Sequence, residues 1–167
     1  MGRDASKAKG NPYYERRIEA ARYNDSLYSR ERTAELLGVS PSSLAEYETG
    51  VTKFVPVDKV VLMADLYNAP ELCNRYCLHD CPIGERLPIS DESYEIDRVT
   101  VKLLKSLHVS ELEDLKLKLL SIAEDGMVSS DELDELQDII EYLEKTAKTI
   151  SELKTIFHKA AQKRKGN

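Results

Sequence analysis

A chain of 167 residues, 41% hydrophobic and 32% charged, has the apolar content of one or two small domains and is too hydrophobic for global disorder. Its formal charge of −6 argues weakly against a nucleic-acid partner. Residues 1–69, however, balance ten Lys/Arg against ten Asp/Glu, and residues 70–167, with fourteen against twenty, carry the whole excess. A DNA-binding face needs local positive charge more than a positive total.

Residues 1–11 (MGRDASKAKGN) are polar and aperiodic and are expected to form a disordered arm. Asn11-Pro12 is a helix-start signal for a helix over Tyr13–Tyr23. Its apolar face is read as Tyr14, Ile18 and Ala21, with Arg16, Arg17 and Arg22 on the other side. Asn24–Tyr28 connects onward, with Leu27 and Tyr28 expected to pack inward. Ser29 is an N-cap for a short helix through Leu37 that carries Ala34 and Leu37 on one face. Gly38 closes that helix in a left-handed conformation. Ser40 caps the next helix, Pro41 occupies its first position, and Leu44, Tyr47 and Glu48 continue it to Gly50.

The pattern Ser29, Ala34, Gly38, Val39, Ser40, Leu44, Tyr47, Glu48, Gly50 resembles the Xre-type helix-turn-helix domain of phage repressors, lambda repressor and Cro among them. The resemblance runs from about Ile18 to about Leu72, roughly a third of the chain. It implies an all-α domain of five helices whose 41–48 helix enters the major groove of DNA. Matched to the family, Pro41, Ser42, Ser43 and Glu46 face the bases, and Pro41 replaces the polar residue usual there. Arg30 and Lys53 match positions that meet phosphate in the family, and Arg32 is a further phosphate candidate. Serine hydroxyls discriminate little between bases, whereas Glu46 can accept from a cytosine amino group.

Beyond Gly50 the VTKFVPVDK loop leads to a helix over Val57–Tyr67, with Val60, Val61, Met63, Ala64 and Leu66 mostly core. A fifth short helix runs from Pro70 to about Leu78. The helix-turn-helix domain is thus placed at 12–82, a linker at 83–90 and a helical interaction domain at 91–167. In the last of these, Ser90-Asp91 is read as capping a helix to Leu107 with Ile96, Val99, Leu103 and Leu107 in one stripe. Leu112, Leu115, Leu119 and Ile122 mark the next helix. The final segment, Asp131 to about Lys163, sets Leu133, Leu136, Ile140, Leu143, Ala147 and Ile150 at alternating spacings of three and four. That is the a/d seam of a coiled coil, slipping at Leu153 and resuming at Phe157 and Ala160. It suits a helical hairpin or a homodimer through residues 91–163.

Cys73, Cys77 and Cys81 are spaced by four and share a helix face. Three thiolates could hold Zn²⁺ or an iron–sulfur cluster, with His79 or a partner residue as fourth ligand. Buried structural thiols are the favoured reading, and no cofactor is expected. No P-loop, G-x-G-x-x-G or H-E-x-x-H is present, so an enzyme is not expected. No apolar run is long enough for a membrane span, the opening residues lack a signal-peptide pattern, and three cysteines make no secreted disulfide framework; a cytoplasmic location is expected.

The leading reading is a bacterial or phage transcriptional regulator, a repressor, that binds double-stranded DNA and dimerises through its C-terminal helices. A second is a helical interaction factor, of the antitoxin or anti-repressor kind, with weak DNA binding. A third is a cysteine-based metal or redox sensor.

Overall fold

The computed structural model describes residues 7–124 and 126–165, apart from the side chains of Glu85, Lys163 and Lys165, and every regular element among them is helical. The all-α expectation holds. Among the described residues α-helices follow one another as α1 (Pro12–Ala21), α2 (Arg30–Leu37), α3 (Pro41–Thr49), α4 (Val57–Leu66), α5 (Glu71–His79), α6 (Ile96–Ser106), α7 (Val109–Ile122) and α8 (Ser130–Lys165). A 3₁₀ turn, Asp25–Tyr28, separates α1 from α2. The chain forms two units, one of the described residues through Glu85 together with those from His158, the other of Arg86–Phe157.

In the first unit, helix ends are fixed by local chemistry. The Asn11 carboxamide oxygen accepts from the Tyr13 amide at 2.9 Å, and its Nδ2 donates to the Tyr47 carbonyl at 3.0 Å, tying the start of α1 to the end of α3. Leu27, Ala34, Leu44, Val60, Met63 and Leu72 are buried at the centre of one apolar cluster. Of the expected arm, residues 1–6 lie outside the described residues, and Ala8 is fully buried. From the far end of the chain, Lys159 Nζ reaches Glu71 Oε1 at 2.9 Å and Gln162 Nε2 donates to Asp65 Oδ1 at 3.0 Å.

Three inward-facing expectations are corrected here. The buried face of α1 is Tyr13, Arg17 and Ala21, with Tyr14 and Ile18 only half-buried. An arginine lies inside because a buried carboxylate awaits it, which a count of apolar spacing does not register. Tyr28 turns outward; its carbonyl, not its ring, is used, accepting from Arg17 Nη1 at 3.3 Å. Val61 is exposed, since the inner face of α4 is filled by Val60, Met63 and Ala64.

In the second unit, α6 starts at Ile96 rather than Asp91. The Ser90 hydroxyl does accept from the Glu92 amide at 3.2 Å, but it also donates to Glu152 at 3.3 Å, and the chain stays irregular until Glu95. Lys102 Nζ grips both Glu152 oxygens at 2.7 and 2.8 Å, and the Tyr142 hydroxyl donates to the Ser106 carbonyl, joining α6 to α8. The face of α8 turned inward is Ile139, Thr146, Thr149, Glu152 and Thr155. Its threonine hydroxyls donate to carbonyls four residues back, at 3.1–3.2 Å, which satisfies them without a partner helix. The expected seam lies one residue out of phase with this face, about 100° round the helix, and is largely exposed. Among the described residues of this unit only Val99, Ile122 and Ile139 are buried apolar side chains, while fifteen large ones, from Leu87 to Phe157, are exposed.

Candidate nucleic-acid interface

The α2–α3 pair is built by caps and two left-handed residues. Ser29 Oγ accepts from the Arg32 amide at 3.2 Å, opening α2. Gly38, at φ +62°, ends it, and the Val39 amide returns to the Ala34 carbonyl at 3.0 Å. Ser40 Oγ then accepts from the Ser43 amide at 3.0 Å, and Pro41 takes the first turn of α3, where no amide is needed. Gly50, at φ +72°, closes α3, with the Val51 amide on the Glu46 carbonyl at 3.0 Å. Ala34 and Leu44 are both fully buried, in the same core cluster.

The opposite face of α3 is open. Pro41, Ser42 and Glu46 are exposed and Ser43 is half-buried. The hydroxyls of Ser42 and Ser43 both lie within hydrogen-bond distance of Ser40 Oγ, at 2.9 and 2.8 Å. Glu46 Oε2 accepts weakly from Thr52 Oγ1 at 3.5 Å. This surface offers hydroxyls and one carboxylate to a ligand, with no bidentate Arg, Asn or Gln among them.

The candidate phosphate residues differ in freedom. Lys53 is exposed, its ammonium 5.1 Å from the Phe54 ring centroid. Arg32 is exposed and bridges to Glu35 at 2.5 Å along its own helix. Arg30 is half-buried, with Nε on Glu48 Oε2 at 3.0 Å. Glu48 is fully buried and also receives Arg17, so Arg30 belongs to an internal ion cluster as well as to this face. The spacing of Glu48 from Gly50 identified it as part of the motif, but its buried arginine partner lay 31 residues away and carried no local signal.

The three cysteines are free and half-buried on and just past α5. Burial raises the Cys73 thiol above its ordinary range, helped by the Asp65 charge and by Cys77; burial raises Cys77 too, with Cys81 adding to it. Metal binding requires thiolates, which this environment opposes. Among the described residues no three His, Cys, Asp or Glu side chains are grouped to hold a metal ion.

Fifteen Lys/Arg and thirteen Asp/Glu fall in the sequence of the first unit, and nine against seventeen in that of the second. The first unit thus carries a balance of +2 and the second one of −8, while residues 29–50 themselves hold two Lys/Arg against four Asp/Glu. Among the described residues no helix is long and apolar enough to cross a membrane.

A family model described as a helix-turn-helix domain matches residues 16–72. The match runs from within α1 to the start of α5 and contains every candidate DNA-contacting residue named above. No curated protein and no solved structure matched the chain. Over residues 16–72 the family match and the α2–α3 geometry agree on a helix-turn-helix domain.

Proposed function

We propose that the protein is a transcriptional regulator of the Xre type, a repressor, that reads operator DNA with α3 and acts as a homodimer in the cytoplasm. Pro41, Ser42, Ser43 and Glu46 face base edges, and Arg32, Lys53 and the outer edge of Arg30 hold phosphates. The observation that carries this reading is the exposed Ser42–Glu46 face on a helix whose two ends are capped and whose other side is locked in the core. A single module makes few base contacts, and two half-sites on one duplex multiply affinity without new chemistry. The exposed apolar surface of the second unit supports pairing.

The test is selection of bound genomic fragments by the full-length chain, followed by gel shifts across a salt series. Glu46→Gln changes which fragments bind best, whereas Lys53→Ala weakens all of them alike. Absence of salt-sensitive binding to every fragment overturns the reading. The second reading, a factor that acts by gripping another protein, is favoured by the charge of −8 on the second unit and its exposed leucines.

A further inference from the structure

We infer that the outward seam of α8 is the contact surface for a second copy of this chain and that the two α8 helices pair antiparallel. The inference rests on the homodimer proposed above and adds the surface and its direction.

The surface is defined by exposure. Leu133 is 56% exposed, Ile140 41%, Leu143 45% and Ile150 41%, with Leu136 and Ala147 half-buried between them. These six stand at a and d positions of one stripe, while the neighbouring stripe of α8 is already turned inward. Monomeric proteins rarely leave such a continuous apolar stripe in water.

The direction follows from charge. Residues 131–144 hold seven Asp/Glu and no Lys/Arg. Residues 145–157 hold Lys145, Lys148 and Lys154, all exposed, against one carboxylate, Glu152, which is buried and gripped by Lys102. Parallel pairing sets seven carboxylates beside seven. Antiparallel pairing sets the acidic half of each helix beside the basic half of the other, and like-charge juxtaposition is what discriminates between such registers.

The seam also has the symmetry a two-fold pair demands. About a point midway between Glu141 and Tyr142, Leu133 lies opposite Ile150 of the second copy, Leu136 opposite Ala147, and Ile140 opposite Leu143. Each is an a position meeting a d position, or the reverse. The same centre brings Glu135 level with Lys148 and Asp138 level with Lys145.

The test uses the full chain with Cys73, Cys77 and Cys81 replaced by serine. Leu133→Cys and Ile150→Cys versions are made with tags of different size and oxidised alone and mixed. A mixed disulfide that appears only on mixing supports the inference; disulfides formed within each version alone mean a parallel pair and overturn it. A spin label on Asp134→Cys, outside the seam, gives an independent reading: antiparallel copies place the labels more than about 20 Å apart, from the helical rise of fifteen residues, and parallel copies within about 15 Å, near the usual spacing of packed helices. Sedimentation equilibrium of the wild-type chain and of Ile140→Glu/Leu143→Glu completes the test: a dimer that the double variant abolishes supports the surface. A monomeric wild type, or a dimer the variant leaves intact, overturns it. None of these measurements contains DNA, so their failure leaves the DNA-binding reading standing, and a failed gel shift leaves the pairing standing.

Discussion

Arg17 and Glu48 form a two-point ion pair inside the helix-turn-helix unit, with Nε–Oε1 at 2.5 Å and Nη2–Oε2 at 3.0 Å, both side chains buried. Arg17 Nη1 also donates to the Leu27 carbonyl at 2.7 Å, and Arg30 adds a third contact to the carboxylate. Four elements are thereby fixed around Glu48, the residue that anchors the last turn of α3. The orientation of the exposed α3 face is set from within.

Breaking this pair on the arginine side leaves the fully buried Glu48 carboxylate with Arg30 as its remaining cationic partner, on Oε2 alone. Arg17→Met is expected to destabilise the fold by about 3–5 kcal/mol in urea titration followed by helical signal. The double variant Arg17→Met/Glu48→Met, which removes both charges, recovers a large part of that loss. A single variant as stable as wild type would show that the pair holds nothing in place.

Lys53 and Arg30 separate when DNA affinity and stability are measured on the same variants. Lys53→Ala leaves stability within about 0.5 kcal/mol and, if Lys53 neutralises one phosphate, lowers the slope of log affinity against log salt by about 0.9. Arg30→Ala lowers affinity and melting temperature together, because Glu48 loses a partner.

Gly38 and Gly84 predict unequal responses to a methyl group. At Gly38 the nearest atom to an added Cβ is Lys59 Nζ at 3.9 Å, so Gly38→Ala meets only the left-handed backbone penalty, about 1–2 kcal/mol. At Gly84 the Cβ falls 1.5 Å from the Cys77 carbonyl oxygen. The turn after α5 must then move, and a loss at the upper end of the usual range of about 1–3 kcal/mol is expected from such overpacking. Thermal melts of the two variants give the order directly.

Tyr67 carries a buried hydroxyl that finds no hydrogen-bond partner among the described residues. Tyr67→Phe is therefore expected to leave stability unchanged or to raise it by up to about 1 kcal/mol. Burial, with the Glu48 charge behind it, lifts the Tyr67 phenol far above its ordinary value of 10.0; burial first, then Asp80, pushes Tyr13 up to about 12. Both phenols hold their protons more tightly folded than unfolded. Their contribution is complete below pH 10 and is lost as the pH climbs toward 12 and beyond. Denaturation midpoints between pH 9 and 12, with each Tyr→Phe variant flattening the alkaline decline, check the sign.

The chain announced its helix-turn-helix in short-range grammar. Ser29, Gly38, Ser40-Pro41 and Gly50 are cap and turn residues whose meaning depends on neighbours within a few positions, and α2, α3 and their joint stand where that grammar puts them. Ala34, Leu44 and Met63 are buried as their periodicity required. Tertiary structure alone decided that Arg17 lies inside, because ion-pair partners 31 residues apart meet only after the helices have packed. It also decided which stripe of α8 faces inward. Two stripes one residue apart competed, and the less apolar one won because its threonines bond to their own helix while Glu152 finds Lys102. The more apolar stripe, which periodicity singled out, was left outside: local sequence reports how hydrophobic a face is, and only the assembled fold decides what covers it.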